Sequence, residues 1–293
     1  MEVFYRFGGA VRYAFPVRIR PLTRAELDTA VGWADAEGWD PGAGDADAFW
    51  ASDPGGFWAG ELDGELVATL SLVRQSPAFG FAGFYIVRPD VRGAGHGLAL
   101  WRAVVDASPL ATIGLDGVPA QESSYEQSGF ALAYRTARHT GTVSGPGDAG
   151  VRIADALTLP DGTLAAFDDA HVVAPRPAFL EHWLRGPGRV ALAATGDDGD
   201  LHGYGVLRPS AGGHRIGPLF AQDRQTAAAL LGALGSRAPG PVSIDVPLAN
   251  AAAVALVEGL GLQPSFETAR MYRGPDPALP VAAIYGVSSL ELG

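Results

Sequence analysis

Apolar positions change period along the chain, and each change marks an element. Val17 to Arg20 alternates, which predicts a strand with one buried face. Thr23-Arg-Ala-Glu26 has the spacing of a capping box and opens a predicted helix running to about Glu37. Gly56 to Arg74 reads as two strands joined at Leu62-Asp63-Gly64, a hairpin signal. Phe79 to Val87 is almost wholly apolar and aromatic, as a strand covered on both faces requires. A helix over Gly95 to Ala107, a strand over Ala111 to Asp116, a helix over Pro119 to Ser128 and a strand over Phe130 to Arg138 follow.

The same order recurs. Gly129-Phe130 and Thr136-Ala137-Arg138 are matched by Gly261-Leu262 and Thr268-Ala269-Arg270, both at an offset of 132. Ile113 to Val118 aligns with Val242 to Pro247 at an offset of 129. In the second half strands are predicted at Val190 to Thr195 and Leu201 to Arg208, around an Asp-Asp-Gly turn at 197–199, and at His214 to Leu219. A helix over Asp223 to Gly235, a strand at Val242, a helix over Ala249 to Glu258 and a strand at Ser265 complete the repeat. Ala282 to Leu290 reads as one more strand without a counterpart. The class is α/β with a mixed sheet. Four parts are expected: an extension over 1–16, a first domain over 17–139, a small-residue linker over 140–150 and a second domain over 151–293.

Composition narrows the chemistry. All 21 cationic residues are arginine, so Schiff-base and pyridoxal-phosphate mechanisms and the P-loop signature are excluded. There is no cysteine, which removes disulfides and thiolate nucleophiles. The formal charge of −11 disfavours nucleic acid and anionic membranes as partners, and favours a cationic one. No apolar run reaches the roughly 18 residues of a membrane span, and Glu2, Arg6 and Arg12 interrupt any signal-peptide core, so a cytoplasmic protein is expected. The histidines lack metal-ligand spacing, so no metal is expected.

The most informative segment is Tyr85-Ile-Val-Arg-Pro-Asp-Val-Arg-Gly-Ala-Gly-His-Gly-Leu-Ala-Leu-Trp101. A strand, a glycine loop and a helix start direct backbone N–H groups and the positive end of a helix dipole at one point, which suits a phosphate. The dinucleotide fingerprint G-x-G-x-x-G fails, because its sixth position from Gly93 is Leu98. What remains is R-x-x-G-x-G, as Arg92, Gly95 and Gly97. Downstream, Tyr125-Glu-Gln-Ser-Gly129-Phe130 follows a strand and opens on a helix. These two motifs together resemble the GNAT superfamily of N-acetyltransferases over about residues 17–138. Gly114 to Val118 and Phe266 to Gly274 look like bacterial tandem-GNAT proteins.

The resemblance implies two tandem domains, each a mainly antiparallel mixed sheet with a splayed parallel pair and flanking helices. It places acetyl-CoA, or another short acyl-CoA, on Ile86 and Val87 of the buried strand and on Arg92, Gly93, Ala94, Gly95, His96 and Gly97, mainly through backbone donors. His96 itself reads as a solvated loop residue rather than a base. Tyr125 matches the tyrosine that protonates the departing CoA thiolate. The buried strand carries no carboxylate where many relatives place the base. A water-mediated base or an acid from the acceptor loops must substitute; of the acids Asp40 is the one expected, holding a cationic amine in a pocket walled by Trp39, Phe49 and Trp50. Asp45 reads instead as a helix N-cap.

In the second half the loop position is held by Gly217 to Thr226, without the motif. Asp223 is positioned to cap the helix and repel a phosphate, and Leu256 or Val257 replaces the tyrosine. One CoA site per chain is expected. The expected activity is acyl transfer to a primary amine, in a small molecule or a peptide, by direct attack; the alternative is a binding-only CoA sensor or scaffold.

Overall fold

In the computed structural model, residues 17–143, 151–196 and 199–293 are described. The N-terminal extension, most of the expected linker and the first two residues of the 197–199 turn lie outside them. The first half contains β1 (Arg18–Pro21), α1 (Arg24–Ala36), α2 (Asp45–Ser52), β2 (Phe57–Leu62), β3 (Glu65–Arg74), β4 (Phe79–Val87), α3 (His96–Trp101), β5 (Thr112–Gly117), α4 (Glu122–Gln127) and β6 (Ala131–Gly141). The second contains β7 (Arg152–Asp155), α5 (Thr163–Asp169), α6 (Pro177–Arg185), β8 (Val190–Thr195), β9 (Leu201–Ser210), β10 (Gly213–Ala221), α7 (Arg224–Gly235), β11 (Val242–Pro247), α8 (Ala251–Gly259), β12 (Gln263–Arg273) and β13 (Ile284–Gly286).

Local chemistry sets the element ends. The capping box forms as the spacing predicts: Glu26 N–H donates to Thr23 Oγ1 at 3.3 Å and Thr23 N–H donates to Glu26 Oε2 at 2.9 Å. Leu27, Ala30 and Ala34 then bury one stripe of α1. The apolar run 79–87 is β4 with the predicted bounds, and β6 extends three residues beyond Arg138. The helix expected over 95–107 starts at His96, and after Trp101 it widens into a π-helical turn through Asp106. The final expected strand, 282–290, is shorter than its pattern: only Ile284–Gly286 pairs.

One sheet carries both halves, in the order β1-β2-β3-β4-β5-β12-β6-β11-β10-β9-β8-β7. The repeat predicts consecutive halves, yet each contributes its last long strand to the other. β12 pairs with β5, β6 pairs with β11, and the two exchanged strands pair with each other, all antiparallel. The repeated triplets are what hold this crossing. Arg138 lies opposite Asp245 and Arg270 opposite Asp116, each in a two-pronged ion pair of 2.7–3.2 Å that joins the halves. Helices α1, α2, α5 and α6 share one apolar core on one face, where Phe49 stacks on Trp183 across the halves. On the other face α3 covers one core, while α7 and α8 cover a second.

Candidate active site

The parallel pair β4 and β5 is in register only from Phe79–Thr112 to Ala82–Leu115. Beyond that the strands separate, and a cavity of about 580 Å³ opens in the wedge. Its walls are the second half of β4 from Ala82 to Val87, the glycine loop, the ends of β5 and α4, and two residues of β12. β4 bulges here, since Thr69 and Ser71 of β3 pair with Ile86 and Gly83.

The loop between β4 and α3 is held from below. Arg92 donates through Nε to Val87 O at 2.8 Å and pairs with Glu37 at the end of α1. Gly93 and Gly95 have φ of +80° and +87°, a left-handed region that other residues enter at a cost of roughly 1 kcal/mol. With the chain turned twice in this way, the N–H groups of Gly93 to Leu98 have no acceptor among the described residues; the first intrahelical bond is Ala99 N–H to Gly95 O at 3.0 Å. Six consecutive donors at a helix start fit a diphosphate. His96 is buried on the cavity wall as the first residue of α3, which corrects the expectation of a solvated loop residue.

Tyr125 projects from α4 into the same cavity, its ring packed on Trp101 at 5.6 Å and on Phe130 at 6.4 Å. Burial, and then the neighbouring Tyr85, push its phenol up to about 12. Tyr85, on β4, lines the cavity too and is pushed up to about 12 by burial. Its place in an apolar strand marked it only as core. Trp101 Nε1 and Thr268 Oγ1 are buried on the wall without a hydrogen-bond partner, two polar atoms a bound ligand would satisfy.

The structure brings together Ile86, Val87, Arg92, Gly93, Gly95, His96, Gly97, Tyr125 and Trp39 around the cavity, with Ala94 in the same loop. It does not bring Asp40. Ser210 Oγ donates to one of its carboxylate oxygens at 3.0 Å and Gly212 N–H to the other at 2.9 Å, so Asp40 anchors the β9–β10 turn. Phe49 is fully buried between Phe84 and Trp183, and Trp50 stacks on Phe57. Both therefore serve the core rather than the expected pocket. Gly44, not Asp45, occupies the N-cap of α2, and the buried Asp45 carboxylate pairs with Arg189 and Arg208 of the second half.

The second half shows the same separation with a different outcome. β10 and β11 pair only from His214–Val242 to Ile216–Ile244, and β13 then enters the gap. It pairs with β10, and Val287 N–H donates to Asp245 O of β11 at 3.0 Å. Ile284 faces one core and Tyr285 the other, as in a central strand. Asp223 caps α7, its Oδ1 accepting from Thr226 N–H at 2.8 Å. Asp223→Ala is expected to lower stability by about 0.5–2 kcal/mol in thermal unfolding without opening the gap, because the strand plug remains.

A splayed parallel pair in a mixed sheet with flanking helices is the fold that the resemblance to the GNAT superfamily implies. The comparisons agree. Residues 22–122 match the "Acetyltransferase (GNAT) family" and residues 164–286 the "Acetyltransferase (GNAT) domain". The chain is 34% identical over 278 residues, 94% of each chain, to "Holothin acyltransferase" of Pseudoalteromonas sp. (strain SANK 73390). This chain belongs to the GNAT acyltransferases, a family that uses acyl-CoA, and it is a tandem member. Its fold is shared with a putative acetyltransferase from Pyrococcus horikoshii at a TM-score of 0.81, 20% identity and coverage of 99% and 100%. A tandem GNAT protein of the clavulanic acid biosynthesis pathway shares it at a TM-score of 0.61, 17% identity and coverage of 89% and 99%.

Proposed function

We propose that the first half binds acetyl-CoA or another short acyl-CoA in the β4–β5 wedge and transfers the acyl group to a primary amine of a small molecule. The observation that carries this is the run of free N–H donors from Gly93 to Leu98 at the mouth of a wedge lined by Ile86, Val87 and Tyr125. The donors suit the diphosphate, the unpaired edges of the splayed strands suit the amide-bearing pantetheine arm, and Tyr125 suits the departing sulfur.

The acceptor end favours a compact amine with an apolar body. Its walls are Trp39, Phe84, Phe266 and Leu290, whereas Asp40, the carboxylate expected to hold a cationic amine, is engaged elsewhere, as is Asp45. Holothin, the compound in the relative's name, is the first acceptor to test.

Calorimetric titration with CoA is expected to give one site per chain, with amide shifts concentrated in Gly93 to Leu98. Two sites, or shifts that spare that loop, would overturn the placement. Release of CoA thiol from acetyl-CoA in the presence of holothin and a panel of small amines tests the reaction.

A further inference from the structure

An amine is largely protonated near neutral pH, so its ammonium must lose a proton before nitrogen can attack a thioester. β4 has no side chain for that task, and the C-terminal segment brings one from the other half. After β13 plugs the gap between β10 and β11, the chain runs on to the first half, where Gln75 Nε2 of the β3–β4 loop donates to Leu292 O at 2.6 Å and Gly293 lies beside the Phe81 ring of β4. Glu291 immediately precedes these anchors, on the cavity wall and only 4% exposed. The tail crosses β4 at Gly83, where a Cβ would strike the Glu291 carbonyl.

Three acidic residues line the cavity. Glu37 is paired with Arg92 and Asp116 with Arg270. The Glu291 carboxylate makes no hydrogen bond or ion pair with another residue among the described residues, and accepts only from its own backbone N–H. We infer that Glu291, carried in by the segment that seals the second half, is the general base of the first-half reaction.

This rests on the cavity being the acyl-CoA and amine site. The step balances as follows. The ammonium proton passes to the Glu291 carboxylate, and the amine nitrogen forms the C–N bond at the thioester carbonyl. The C–S bond breaks, and the thiolate takes the Tyr125 proton. The second amine proton restores the phenol, and Glu291 releases its own to solvent. Burial pushes the Glu291 carboxyl above the usual carboxylate range; Arg215 of β10 opposes that, Asp45 of α2 adds to it, and Arg138 of β6 opposes it. On the cavity side the titratable groups are His96, Tyr85, Tyr125 and the two paired carboxylates.

Glu291→Gln keeps the shape and removes the base. With an amine that wild type acylates, kcat/KM is expected to fall by about 10²–10⁴-fold, and the acidic limb of its pH profile to disappear. CoA titration should be unchanged, which also certifies the fold. Gly83→Ala, which pushes the tail off β4, should lower kcat with CoA binding kept. A Glu291→Gln enzyme with wild-type kcat/KM and its acidic limb intact overturns the assignment while leaving acyl transfer standing. Wild type that binds CoA but releases no thiol with any amine overturns both.

Discussion

Tyr125→Phe is expected to lower kcat by about 10²–10⁴-fold with CoA affinity unchanged, the span that removal of a positioned proton donor produces. The phenyl ring keeps the contacts with Trp101 and Phe130, so packing is conserved and only the hydroxyl is lost. With the phenol pushed up to about 12, the donor stays protonated across the working range, and no alkaline limb from Tyr125 should appear below about pH 10. Tyr85, close enough to raise the Tyr125 pKa, is the control: its hydroxyl lies against Gly97 on the glycine-loop side. Tyr85→Phe should cost less turnover than Tyr125→Phe. Stopped-flow thiol release on both variants decides it, and the reverse order would move the acid to Tyr85.

What the sequence revealed of this site is what one continuous segment encodes. The β4 bounds, the glycines at 93, 95 and 97, Tyr125 and the Asp223 cap all rest on neighbours within a few residues, where periodicity and spacing speak directly. Asp40 was misleading because a carboxylate beside a tryptophan suits an amine pocket equally well, while its true partners Ser210 and Gly212 lie 170 and 172 residues away. Glu291 was silent for the same reason: one acid in a short C-terminal tail has no pattern until the fold lays it on Gly83. The duplicated triplets were legible as a repeat, but not as an exchange. Identical elements pair equally well within a half or between halves, and only the three-dimensional register distinguishes the two.

That exchange leads to the largest stability effect. Asp245→Asn is expected to lower the free energy of unfolding by about 3–5 kcal/mol, because it leaves Arg138 and Arg215 buried without their counter-charge. Asp116→Asn, which strips Arg270, should fall in the same range. On the rim, Glu61→Gln removes the partner of a 72% exposed Arg18 and half of an Arg20 network, and should cost far less, because solvent screens both pairs. Acid should reproduce part of the Asp245 effect. Burial alone would raise that carboxyl, but Arg215 and Arg138 hold it down to about 2, below its unfolded value. Its contribution, roughly 2 kcal/mol, is therefore present above about pH 4 and lost as pH falls toward 2, since the unfolded chain takes up the proton first. Urea unfolding of wild type and Asp245→Asn at neutral pH and near pH 3 should show the gap narrowing on acidification. A gap at neutral pH no larger than that of Glu61→Gln would mean that the crossed arginine pairs do not hold the two halves together.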